Sequence, residues 1–190
     1  NLATPGITSY VVLPSSFVPP ANRPVPDVTR NITKALSLNP DAIIINLPSN
    51  DVAMGYSLQE CEDNFNILAA SCDAQHVPVW ITTTQPRDRL SPNEKQLQLT
   101  LRDWITQRFG IKSVDFWTTV GNADGSMNPI YSAGDSVHLN NDGHHILFTR
   151  IVAEKIWDTI CNRRNPAPVA RAGSDQVIQL PVSRAFLDGR

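Results

Sequence analysis

The chain has 190 residues, 41% hydrophobic and 18% charged, with a formal net charge of −2. That length holds one domain with a full core and a small remainder. The near-neutral charge excludes the basic surplus of a typical nucleic-acid binder, and no apolar run approaches the roughly 18 residues of a membrane span.

Strand and helix patterns alternate through the first 160 or so residues, which predicts an α/β sheet. Residues 25–38 read as a helix with Val28, Ile32, Ala35 and Leu36 on its apolar side, stopped by Asn39-Pro40. Residues 42–47 are a continuous apolar run, the pattern of a parallel strand buried on both faces. Ser57 with Glu60 three residues on is a capping box, and opens a helix to about residue 75. A strand rich in β-branched residues follows at 77–83. Ser91, Pro92 and Glu94 form a second capping box with proline at the first helical position. That helix runs to Phe109, with Gly110 as its stop. A short strand is predicted at 111–116, a long loop at 118–137 and a closing helix at 141–160. Ile146, Leu147, Ile151, Val152 and Ile156 share one broad face of that last helix.

The composition changes after residue 161. Residues 162–168 read as a linker, and 169–190 begin a β-rich pattern. The phrases Ala172-Gly173-Ser174-Asp175-Gln176 and Leu187-Asp188-Gly189 resemble the opening of a PKD or Ig-like module. Cys61 and Cys72 lie on one predicted helix, about 16 Å apart along its axis at 1.5 Å per residue. That is too far for a disulfide. Cys61, Cys72 and Cys161 show no metal-binding spacing and read as free thiols.

Two segments carry chemistry. Asn50 follows the predicted strand at 42–47, at the carboxyl edge where open α/β sheets bind ligands. Its side-chain NH₂ can donate to a developing oxyanion. Asp135 and His138 stand at i, i+3 between a loop and a helix. An aspartate so placed can hold the imidazole tautomer and stabilise the imidazolium of a general base. Gln85 and Arg87, leaving the strand at 77–83 on the same edge, are candidates to line a substrate cleft. His144, His145 and His76 read as surface or structural residues.

Together these segments resemble blocks of the SGNH hydrolases, the GDSL-type esterases and lipases. Residues 134–144 are very like the block that reads D-x-x-H followed by L-N-x-x-G-H. Pro48-Ser49-Asn50-Asp51 is similar to the block G-x-N-D, with proline in place of the usual glycine. Residues 1–9 look like the block whose glycine, here Gly6, lends a backbone N–H to the oxyanion hole. The match spans residues 1 to about 160.

The resemblance implies a three-layer α/β/α sandwich with a parallel, flavodoxin-like sheet. It also implies a Ser-His-Asp triad that needs neither metal nor organic cofactor. The letters Gly134-Asp135-Ser136 spell the family's nucleophile block but fall inside the D-x-x-H block, so Ser136 is not read as the nucleophile. The nucleophilic serine and the first strand are expected upstream of Asn1. The 190 residues alone are therefore expected to be inactive.

The domains expected are 1–161 for the hydrolase-like part, 162–168 for the linker and 169–190 for the appended module. By analogy, that module points to a secreted or cell-surface bacterial protein and to an ester substrate on acylated polysaccharide. The alternative is a non-catalytic carbohydrate-binding or adhesion domain of the same fold. A flavodoxin-like nucleotide binder is disfavoured because no glycine-rich phosphate loop follows the strands. Acyl and alcohol specificity, export route and oligomeric state are not legible in the sequence.

Overall fold

The computed structural model describes residues 2–47 and 49–164. Residues 1–156 form one compact unit, and a second unit begins at Trp157. The predicted module at 169–190 and most of the linker lie outside the described residues, as does Pro48.

The chain opens with a single helical turn, α1, Ser9–Val12. The helix predicted over 25–38 is far shorter: α2 is Ile32–Leu36. The cause is local. Asp27 accepts bonds from the backbone and hydroxyl of Thr29 and from Arg30 Nε, which holds residues 27–30 as turns. Asn31 then caps α2 by accepting from Lys34 N at 3.0 Å.

Strand β1, Ile43–Ile45, pairs in parallel with β2, Val79–Thr82, and β2 with β3, Ser113–Val114. The order β1-β2-β3 puts β2 in the middle, and all four of its residues are buried. Strand β1 departs from the expectation of burial on both faces. Among the described residues it pairs only with β2, and Ile44 is 40% exposed. A cavity of about 460 Å³ runs along β1, lined by Val12, Ile32, Ala35, Leu38 and the strand itself. The strand predicted over 111–116 is reduced to β3, because a 3₁₀ turn occupies Gly110–Lys112.

Between β1 and β2 come α3, Asn50–Ala53, and α4, Leu58–Ala74; α5, Pro92–Phe109, follows β2. Both predicted capping boxes are formed, Ser57 with Glu60 and Ser91 with Glu94. Helices α4 and α5 pack on each other and on β2. Phe65, Leu68, Ile81, Leu13 and Ile105 are almost wholly buried in the resulting core. Each such side chain contributes about 1.5–3 kcal/mol by leaving water.

Cys61 and Cys72 are both buried on α4 as free thiols. Burial pushes Cys72 up to about 11 and Cys61 higher still, so neither supplies a thiolate near neutral pH.

Glu60 does more than cap. Arg23 binds it through two N–H groups, at 2.6 and 2.8 Å, and Tyr10 OH donates at 3.1 Å. The Arg23 bonds, with help from Ser57, hold the Glu60 carboxyl down at about 2.

The predicted closing helix is two helices, α6, Asn141–Ala153, and α7, Ile156–Arg164. Lys155 has φ +50 between them, a left-handed break without glycine or proline. Helix α7 includes residues 162–164, at the start of the predicted linker. Of the predicted apolar face on α6, Leu147 is buried while Val152 is largely exposed.

Candidate active site

The turn before α6 is built by its own side chains. Asp135 Oδ1 accepts from the backbone N–H of Val137 and His138, at 2.9 and 2.8 Å. Asp135 Oδ2 lies 2.6 Å from His138 Nδ1. These bonds, the His138 ring first, hold the Asp135 carboxyl well below the usual carboxylate range. An ionised carboxylate only accepts, so Nδ1 carries the hydrogen and Nε2 is the basic nitrogen of the neutral ring. Asp135 and His138 are both solvent-exposed.

The rest of the motif has a structural reason. Leu139 is buried, and Asn140 caps α6 by accepting from Gly143 N at 3.0 Å. A Cβ on Gly143 would stand 2.9 Å from Leu139 Cβ, so glycine lets the helix start close to the turn. Gly134 and Ser136 have φ +88 and +65. Ser136 lies in this turn and not at a strand end; its carbonyl accepts from the backbone N–H of Asp88 and Arg89, at 3.0 and 3.1 Å. His144 and His145 are exposed on α6.

Asn50, just beyond β1, opens α3. Its Nδ2 donates to the carbonyl of Ile7 at 3.1 Å, and its Oδ1 accepts from Arg87 Nη1 at 3.1 Å. Ile7 is the neighbour of Gly6, whose φ of +77 is the reason for glycine there; a Cβ would meet nothing within 4 Å. Two further bonds hold that segment. Ser9 N donates to Asp51 Oδ1 at 2.8 Å, and Thr8 and Tyr56 share a hydroxyl bond at 2.9 Å.

Arg87 and Gln85 leave β2 together. Thr82, Thr83 and Thr84 are buried there, with their hydroxyls bonded to Asn46 Oδ1, Phe116 N and the Gln98 carbonyl. Gln85 is held by its carbonyl, which accepts from Gln98 Nε2 at 2.7 Å. Asp88 Oδ1 accepts from Met127 N at 2.8 Å.

The structure thus joins Asp135 to His138 directly, and Asn50 to Arg87 and to the residue after Gly6. The segment after Arg87 reaches the His138 turn through Ser136. Among the described residues, no group of three or more His, Cys, Asp or Glu side chains could hold a metal, and no helix is long and apolar enough to cross a membrane.

Asp51 was not singled out by sequence beyond its place beside Asn50. It is 2% exposed, and Oδ2 has no hydrogen-bond partner among the described residues. Burial raises its carboxyl from 3.8 to about 6, opposed in part by the Ser9 N–H. A folded-state pKa above the unfolded one favours the fold below about pH 4, and that contribution is lost as pH rises through about 6. A difference of about two pKa units is worth about 3 kcal/mol.

Asp51→Asn keeps the acceptor for Ser9 and removes the charge. Relative to wild type, the variant should gain up to about 3 kcal/mol of stability between pH 4 and 7. Urea unfolding of both proteins at the two pH values measures this, and a stability difference that does not change with pH would refute it.

A family model for GDSL-like lipases and acylhydrolases matches residues 3–146. The chain belongs to that family. Among solved structures it is similar to a Bacteroides fragilis protein described as an acylhydrolase, with a TM-score of 0.56 and 24% identity over 67% of this chain and 66% of that one. A GDSL-like lipase from Bacteroides thetaiotaomicron aligns with a TM-score of 0.56 and 22% identity, over 66% of this chain and 67% of that one. A mutant acetyl esterase solved with an acetate ion aligns with a TM-score of 0.57 and 17% identity, over 83% of this chain and 70% of that one. The chain thus spans about two thirds of each Bacteroides protein. These likenesses establish the α/β fold with its parallel sheet. None of the curated proteins compared with the chain matches it.

Proposed function

We propose that the chain supplies the base and the oxyanion-binding groups of a serine esterase that removes acetyl or similar acyl groups from carbohydrate. The observation that carries this reading is the 2.6 Å contact between the Asp135 carboxylate and His138 Nδ1, which leaves Nε2 basic.

The nucleophile is a serine on a segment preceding Asn1. Its hydroxyl attacks the ester carbonyl while His138 Nε2 takes the proton, and Asp135 stabilises the imidazolium. The Gly6 N–H and the second hydrogen of Asn50 Nδ2 receive the oxyanion. The tetrahedral intermediate collapses, and His138 returns the proton to the departing alcohol. Water then adds to the acyl-enzyme with His138 again as base, which releases the acid and restores the serine. The carbohydrate substrate and a secreted or cell-surface location rest on the module resemblance at 169–190. The acetyl group rests on the acetyl esterase among the fold neighbours. Both supports are analogies of fold and architecture.

Rapid mixing with an activated acetyl ester tests this reading. Full-length protein should give a stoichiometric burst of alcohol, and residues 1–190 alone should give none. A burst from the 190 residues would bring the nucleophile inside them, with Ser136 the first to replace. No burst from full-length protein would leave a non-catalytic binding domain. Release of acetate from acetylated polysaccharide, compared with release of fatty acid from a lipid ester, tests the substrate class.

A further inference from the structure

We propose that Arg87 is a positioning residue, which fixes the side-chain amide of Asn50 so that one N–H of its NH₂ faces the oxyanion. This rests on the esterase reading above and assigns Arg87 a role through Asn50 rather than on substrate.

An asparagine amide is nearly symmetric in shape, so its neighbours decide which end is the donor. Here both neighbours demand the same orientation. Arg87 Nη1 is a donor and lies 3.1 Å from Oδ1; the Ile7 carbonyl is an acceptor and lies 3.1 Å from Nδ2. Flipping the amide would set donor against donor and acceptor against acceptor. In the observed orientation one Nδ2 hydrogen is spent on Ile7, and among the described residues the other has no hydrogen-bond partner.

The guanidinium also polarises the amide. It pulls electron density toward Oδ1, which makes the NH₂ a stronger donor, as in any chain of hydrogen bonds.

The setting of Arg87 suits this role. Its Nε is buried and has no hydrogen-bond partner among the described residues, so the side chain is held there without being fully satisfied. The next two residues donate their backbone N–H groups to Ser136, in the turn between Asp135 and His138. A single short segment therefore holds the amide of Asn50 at one end and the turn of the general base at the other.

The test is a double-mutant cycle in the full-length protein, with kcat and KM on one acetyl ester and folding checked by circular dichroism. Arg87→Met should lower kcat about 10- to 100-fold, by analogy with the loss of groups that orient metal-ligating side chains. KM should stay near wild type. Arg87→Lys, which restores a cationic donor, should recover part of the loss. In an Asn50→Ala background, Arg87→Met should cost nothing further, because its only route is gone.

A raised KM with normal kcat would make Arg87 a substrate contact and overturn the inference. So would an equal cost of Arg87→Met with and without Asn50. A wild type with no esterase activity overturns the esterase reading itself, and with it any catalytic consequence of Arg87.

Nitrogen-15 NMR supplies a readout independent of turnover. The Asn50 side-chain NH₂ should exchange faster with water in Arg87→Met and be restored in Arg87→Lys. Unchanged Asn50 signals in Arg87→Met would sink the proposal whatever the activity.

Discussion

Replacing His138 by alanine in the full-length protein should lower kcat on an activated acetyl ester by about 10⁴-fold, the upper end of what general acid–base catalysis contributes. His144→Ala and His145→Ala should leave kcat close to wild type. In the proposed triad the large effect follows because such members act as one unit, and losing one disables the others. In the proposed mechanism the serine hydroxyl, without Nε2, has no acceptor for its proton near neutral pH.

The turn itself should survive. Asp135 Oδ1 binds backbone N–H groups of residues 137 and 138, which alanine retains, and Asn140 still caps α6. The comparison is clean because His144 and His145 lie on the exposed surface of α6, where the Asp135 carboxylate is already fully engaged by its own turn. Comparable losses from His138→Ala and His144→Ala in folded protein would place the base at least one helical turn away from its assigned position.

The features legible in the sequence are those whose partners are near in the chain. The capping boxes at Ser57/Glu60 and Ser91/Glu94 close within three residues, and so does the Asp135–His138 pair. The overrun helices failed for equally local reasons that the apolar pattern hides. At 25–38 the periodicity is helical, but Asp27 binds Thr29 and Arg30 and keeps the chain in turns until Asn31. At 141–160 the break falls on Lys155, a residue type that rarely signals positive φ. A run of isoleucines at 42–47 predicts a strand covered on both faces, but the partners of a strand lie on other segments, and among the described residues β1 pairs only with β2.

The site shows the same division. Residue types and the family pattern single out Asn50 as a donor. They say nothing of what orients it, because Arg87 is 37 residues away, nor of what anchors Asp51, because Ser9 is 42 residues away. The Arg87 contact depends on β1 and β2 being neighbours in the sheet, and the Ser9 contact on the segment before β1 folding back onto the start of α3, so each becomes visible only once the fold is known.

Asn50→Ala should lower kcat by about 10² to 10³, the usual cost of one oxyanion donor, and leave KM nearly unchanged. The reason lies in when the bond is made. A ground-state ester carbonyl carries little charge and gains little from the NH₂, whereas the tetrahedral oxyanion gains a full charge-assisted bond. The loss therefore falls on the transition state and not on substrate binding.

The substitution also has a structural cost that must be separated from the catalytic one. It leaves the Ile7 carbonyl and Arg87 Nη1 without their present partner. Unpaired groups of this kind cost about 1–3 kcal/mol each when buried, less where water reaches them. The Asn50→Ala protein should accordingly unfold at lower urea concentration, yet remain folded under assay conditions. Measured kcat at saturating ester, with the folded fraction known from urea titration, separates the two effects. A folded Asn50→Ala protein with normal kcat would remove Asn50 from the oxyanion hole and leave it the role of tying Ile7 and Arg87 to the start of α3.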